Sequence, residues 1–138
     1  MRYYLDTNTL IFILLNQRDE LCRHVIDILD DYSNSFYVST FAIRELILLH
    51  KEGKMKKSQY RTYRDFFDMI EELNYEIVPT AKQHLFTYAE LVPSSDHRDP
   101  NDHMIIAQSI SDKIPVISSD KKFKLYENQG LQLVFNKR

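Results

Sequence analysis

The chain has 138 residues, 43% of them hydrophobic and 28% charged, with a formal net charge of -2. That length suits one domain with a true core, and the composition is that of an ordinary globular protein. The longest apolar run, Leu10 to Leu15, is far too short to span a bilayer, and Asp6 interrupts the N-terminus before a signal-peptide core could form. No membrane role is expected. The near-neutral charge excludes nucleic-acid binding by bulk charge, so such binding needs a local patch. A single cysteine, Cys22, permits no internal disulfide and fits a reducing, cytoplasmic setting. With only Gly53 and Gly130, Gly-rich phosphate loops are excluded. A serine-hydrolase elbow and a His-Glu-x-x-His zinc motif are missing as well.

In chain order, Tyr3-Tyr4-Leu5 reads as a short buried strand, followed by a helical turn over Thr9 to Leu15 capped by Thr7 or Asn8. Asp19 to Asp31 is amphipathic, with Leu21, Val25, Ile28 and Leu29 at helical spacing. Phe36 to Ser39 is a second strand. Ser39 or Thr40 caps a helix to about Glu52, which Gly53 stops. Ser58 to Leu73 predicts another helix, with Phe66, Phe67, Ile70 and Leu73 on one side. Tyr75 to Val78 is a third strand. Thr80 to Val92 predicts a helix with Leu85, Tyr88, Ala89 and Val92 inward. Asp99-Pro100 opens a helix to Ser111, Pro115 to Ser118 is a fourth strand, Lys121 to Tyr126 a short helix, and Leu131 to Phe135 the last strand. Strands alternating with helices predict an α/β fold with a parallel sheet covered on both faces. Ligands in such folds sit beyond the carboxyl ends of the strands.

Four acids stand out, two of them, Asp6 and Asp120, at such ends. Asp6 follows the first strand, Glu45 lies among apolar residues in its helix, Asp102 is in the first turn after Asp99-Pro100, and Asp120 follows Val116-Ile117-Ser118-Ser119. Each also has an ordinary structural use. Asp6 and Asp120 can cap helices, Glu45 can face solvent, and Asp102 at the third helical position suits the helix dipole. A carboxylate among apolar neighbours is costly unless a cation meets it, and four converging would suit a hard divalent cation. That combination points to phosphodiester chemistry.

Taken together, Tyr4-Leu5-Asp6-Thr7-Asn8-Thr9-Leu10, Ser39-Thr40-Phe41-Ala42-Ile43-Arg44-Glu45-Leu46, His97-Arg98-Asp99-Pro100-Asn101-Asp102-His103-Met104-Ile105-Ile106-Ala107 and Val116-Ile117-Ser118-Ser119-Asp120 resemble the PIN domain. Within it they look like the VapC-type toxin ribonucleases of prokaryotic toxin–antitoxin pairs. The motifs are short, but they occur in the family's order and spacing over essentially the whole chain. The resemblance implies one PIN-like nuclease domain over residues 1–138, a three-layer α/β/α fold with a central parallel sheet of about five strands. It implies Asp6, Glu45, Asp102 and Asp120 as the catalytic and metal-binding acids, with Asn8, Asp99, Ser118 and Ser119 as polar supports. It further implies Mg²⁺ or Mn²⁺ as cofactor, RNA as substrate, a homodimer and a cognate antitoxin. Asp6 with Asp102 or Asp120 would be the principal ligands, and Glu45 would act through water. His103 and Ser119 depart from residues common in the family, and neither removes a carboxylate. His97 and His103 are read as polar neighbours of the site rather than ligands.

Lys51, Lys54, Lys56, Lys57, Arg61 and Arg64 form a basic cluster opposed only by Glu52. It is expected to track RNA phosphates; the interleaved Tyr60 and Tyr63 are able to stack on unpaired bases, although aromatics at this spacing are more often core or dimer contacts. Lys121, Lys122 and Lys124 form a second basic group beside Asp120. The alternatives are a non-catalytic metal- or RNA-binding module and a HAD-like phosphatase. The phosphatase reading is weakened because Asn8 stands where a second acid is needed.

Overall fold

A computed structural model describes residues 1–55 and 59–138. Five parallel strands form one sheet in the order β3-β2-β1-β4-β5. They are β1 (Arg2–Leu5), β2 (Ser35–Ser39), β3 (Glu76–Val78), β4 (Val116–Ser118) and β5 (Leu133–Phe135). The helices are α1 (Thr7–Leu14), α2 (Arg23–Asp30), α3 (Thr40–Lys51), α4 (Tyr63–Glu72), α5 (Lys82–Glu90) and α6 (Pro100–Asp112). Two 3₁₀ segments, Arg18–Glu20 and Lys121–Gln129, complete the described elements. The architecture is three-layer α/β/α, as the alternating pattern predicts.

The strand order creates the site. From β1 the chain runs outward through β2 to β3, then returns to the other side of β1 with β4 and β5. β1 and β4 are therefore neighbours with diverging connections, and a crevice opens beyond their carboxyl ends. Tyr4 pairs with Val116 and Leu5 with Ile117. Asp6 thus emerges beside Ser118-Ser119-Asp120, although more than a hundred residues separate them in sequence.

The central strands carry the core. Tyr4, Leu5, Val38, Val116 and Ile117 are fully buried. So is the middle of α6, where every residue from His103 to Ser109 is buried, as expected of a helix enclosed on all sides. Gly53 and Gly130 take left-handed backbone (φ 76° and 104°) where α3 and the second 3₁₀ segment end.

Four expectations about elements are corrected. Asp6 itself caps α1, accepting the Thr9 N–H, in place of Thr7 or Asn8. α4 begins at Tyr63, because Thr62 caps it and the Asp65 carboxylate accepts the N–H groups of Arg61 and Thr62; Ser58 lies outside the described residues. Phe66 and Ile70 of α4 are buried, but Phe67 and Leu73 face solvent. In α5 the inward and outward faces are exchanged. Leu85, Tyr88, Ala89 and Val92 are exposed, along with Phe86, while His84 is buried.

The reason is a polar anchor. His84 Nδ1 accepts the Ala81 N–H, which leaves Nε2–H facing Asp112 Oδ1 at 2.9 Å. The Tyr4 hydroxyl donates to the other oxygen of Asp112 at 2.6 Å. Asp112 thereby ties α5 and β1 to the end of α6, and the anchor fixes which face of α5 turns inward. Asp112→Ala leaves two buried donors without an acceptor and is expected to cost about 2–4 kcal/mol. Urea unfolding measures this, and a loss below about 0.5 kcal/mol would show that the anchor does not hold the helix.

Candidate active site

Asp6 is buried at the end of β1. Its Oδ1 accepts the Thr9 N–H at 2.9 Å, and its Oδ2 accepts the Ser118 hydroxyl at 2.5 Å. Ser118 Oγ in turn accepts the Asp120 N–H at 3.0 Å, so one serine couples the carboxyl end of β1 to the turn after β4. Asp120 caps the following 3₁₀ segment through the Lys122 N–H. Asp99 caps α6 by accepting the Asn101 N–H, with Pro100 at the first helical position. Asp102, one turn in, faces the crevice, and its Oδ2 lies 3.0 Å from His97 Nε2.

The ring of His97 is almost wholly enclosed. Its Nδ1 meets the Tyr126 hydroxyl at 3.0 Å, and its backbone carbonyl meets His103 Nε2 at 2.8 Å. Sequence reasoning made His97 a polar neighbour, yet its Nε2 stands among ligand-type atoms. One atom each from His97, Asp102 and Asp120 lie within 4.8 Å of one another. Asp6 borders this group with both oxygens engaged. Glu45, on the second turn of the half-enclosed face of α3, acts on Asp102 through its charge.

The electrostatics follow from crowding and burial. The Asp102 carboxyl is pushed up to about 8, first by burial and then by the negative charges of Asp99, Asp6, Asp120 and Glu45. Burial likewise raises the Asp6 carboxyl. The Ser118 and Thr9 hydrogen bonds oppose that rise and the Asp120 charge adds to it. Burial lowers the His97 imidazole, with Asp120 and Asp99 opposing and Lys122 assisting. Both shifts favour a neutral pair in which protonated Asp102 donates to His97 Nε2. A divalent cation would relieve this repulsion. The two carboxylates, Asp102 and Asp120, fit a hard divalent cation, while the His97 imidazole, held from behind by Tyr126, is a donor that softer ions prefer.

Of the supporting residues, Ser118 and Asp99 join the site. Ser119 accepts from Asn136 Nδ2 instead, and Asn8 is exposed without a hydrogen bond to the acids among the described residues. Asn136 also receives the Cys22 N–H and escaped sequence reasoning, because its partners lie far away in the chain. Lys51, Lys54, Arg61 and Arg64 are exposed, with Lys54 paired to Glu52 at 2.9 Å. Lys56 and Lys57 lie outside the described residues. Tyr60 takes the core alternative: it is buried, and its hydroxyl donates to the Leu14 carbonyl, so it offers no stacking surface. Tyr63 is half exposed.

The family model of the PIN domain matches residues 3–128. The chain belongs to the PIN family. Solved structures share the fold of this PIN domain at low identity. VapBC2 from Rickettsia felis, bound to a DNA fragment from its promoter, is 20% identical with a TM-score of 0.69, covering 99% of this chain and 100% of that one. DNA-bound VapBC from Salmonella typhimurium is 20% identical with a TM-score of 0.68, covering 98% of each chain. VapBC-5 from Mycobacterium tuberculosis, of the VapBC family of toxin–antitoxin systems, is 18% identical with a TM-score of 0.60, covering 97% and 98%. No curated protein sequence matches the chain. Among the described residues, no helix is long and apolar enough to cross a membrane.

Proposed function

We propose that this PIN domain is a divalent-metal-dependent endoribonuclease, acting in the cytoplasm as the toxin of a toxin–antitoxin pair. The observation that carries this reading is the meeting of Asp102, Asp120 and His97 beside buried Asp6, at the point where the strand order reverses. Mg²⁺ or Mn²⁺ bound there supplies neutralisation of the phosphodiester charge and a more acidic water. Asp102 and Asp120 hold the cation, and Asp6 adds negative charge while fixing the β1–β4 ends through Ser118. Asp99 maintains the field around Asp102. Glu45 orients the attacking water and takes its proton. Lys51, Lys54, Arg61 and Arg64 contribute phosphate contacts at the rim.

The test is incubation of purified, antitoxin-free protein with total cellular RNA in Mg²⁺, in Mn²⁺ and in EDTA, beside the Asp6→Asn protein. Discrete fragments requiring both metal and Asp6 are expected. A folded, metal-binding protein that cuts no RNA in either ion would support a binding module instead.

The partners follow the same reading: a cognate antitoxin that covers the acidic crevice, and a second copy of the chain. The exposed apolar face of α5, with Leu85 51% and Phe86 60% accessible, is the surface assigned to that second copy. Leu85→Glu with Phe86→Glu is expected to convert a dimer to a monomer, measured by light scattering on a sizing column, with the thermal transition retained. An unaltered mass would remove α5 from the interface.

A further inference from the structure

Beside the acidic crevice, on its β5 side, lies a cleft of about 530 Å³ lined by Ser119, Lys121, Lys124, Phe135, Lys137 and Arg138. Its position is set by the sheet. Phe135 of edge strand β5 pairs in register with Ser118 of β4, and Ser119 immediately precedes Asp120. Asn136 joins the two walls, donating its N–H to the Ser118 carbonyl and its side-chain amide to Ser119 Oγ. The walls of the cleft therefore flank Asp120 in sequence, with Ser119 before it and Lys121 after it, and are tied to β4 through Asn136.

Its charge is opposite to that of the chain as a whole. Arg138 is paired with Glu20, whereas Lys121, Lys124 and Lys137 have no carboxylate within ion-pair reach among the described residues. The Lys124 ammonium rests 4.2 Å from the centre of the Phe135 ring, which holds it over the cleft. Lys122, next in line, stands close enough to the centre to act on His97. Crowded like charges without counter-ions are unfavourable in isolation and become favourable against a polyanion.

We propose that this cleft holds the phosphodiester backbone of single-stranded RNA on one side of the scissile bond. The inference rests on the nuclease reading for its choice of polyanion. Lysines act as point charges on flexible stems, which suits phosphates at variable spacing rather than base edges. The cleft thus contributes affinity and registers the strand against Asp120 without selecting sequence. Its residues are separate from the basic group of Lys51 to Arg64.

The test uses fluorescence anisotropy of a labelled oligouridine with Asp6→Asn protein in EDTA, so that binding is read without turnover. Combined Lys121→Gln, Lys124→Gln and Lys137→Gln is expected to raise Kd by roughly tenfold or more and to flatten the dependence of log K on log salt by about 2. Arg2→Gln with Lys113→Gln, at the other end of the strands, is the charge control, and circular dichroism confirms the fold. An unchanged Kd and salt slope, or an equal loss in the control, would overturn the proposal. So would a polyglutamate peptide that binds more tightly than the RNA and is lost in the triple variant, since the cleft would then belong to an acidic protein segment. Wild-type cleavage with unaltered binding by the triple variant overturns the cleft alone. A wild-type chain that neither cuts nor binds RNA overturns both readings.

Discussion

Asp6→Asn is expected to lower RNA cleavage by on the order of 10²-fold or more, while the thermal transition stays in place or rises. Asparagine is as good a helix cap as aspartate, so the acceptor for the Thr9 N–H survives. The amide replaces the oxygen that accepts from Ser118, and that hydroxyl has capacity to accept instead. What disappears is a buried negative charge that burial already disfavours. Asp6→Ala behaves differently. The cap is lost at about 1 kcal/mol, the Ser118 hydroxyl loses its partner, and the melting temperature falls by about 3–6 °C per kcal/mol lost. Gel assays on total RNA and circular-dichroism melts of both variants separate the two roles. Cleavage by Asp6→Asn within a few-fold of wild type would show that the charge of Asp6 takes no part.

The second large effect is on stability against pH in the absence of metal. Folded Asp102 titrates at about 8, whereas an unfolded carboxyl titrates near 4. The folded state therefore binds that proton more tightly. The resulting stability is complete below about pH 4 and is lost as pH rises through about 8. Asp6, also raised, contributes with the same sign. His97, lowered by burial, runs the other way below about pH 6.5. The fall is consequently cleanest between about pH 6.5 and 8.5.

In EDTA the melting temperature is expected to decline across that window. A divalent cation at a hundred times its Kd should restore about 2.7 kcal/mol. Asp102→Asn should flatten the decline and abolish the response to cation. A melting temperature independent of pH in EDTA, with no response to Mg²⁺ or Mn²⁺, would contradict the crowded-carboxylate description of the site.

Much of this was legible locally. The strands, the helix over Thr40–Lys51 with its Ser39 cap and Gly53 stop, and the Asp99-Pro100 helix start are short-range features. They depend on side-chain alternation, helical spacing and capping groups within a few residues. Asp6, Asp102 and Asp120 were legible because each stands at a strand end or in a first helical turn, whereas Glu45, on the second turn of α3, stood out only as a carboxylate among apolar neighbours.

Other features were not local. The periodicity of α5 showed that it has two faces, but apolar Leu85, Tyr88 and Val92 pointed to the wrong one. A buried histidine fixed by Asp112, 28 residues later, decided the matter. Between base stacking and a core contact, Tyr60 stayed open, because nothing nearby in sequence shows that Leu14 offers its carbonyl. His97 was undervalued for a related reason. Its setting depends on Tyr126, Asp102 and Asp120 meeting around one ring.

By itself, the sequence determined the element types, their caps and the positions of the four carboxylates relative to strand ends, since these arise from contacts a few residues apart. Only the tertiary structure decided that β1 lies beside β4, that Ser118 joins Asp6 to Asp120, that His97 stands with Asp102 and Asp120, and that a basic cleft opens next to them. Those relations follow from strand order and burial, which the packing of the whole chain sets and no local pattern encodes.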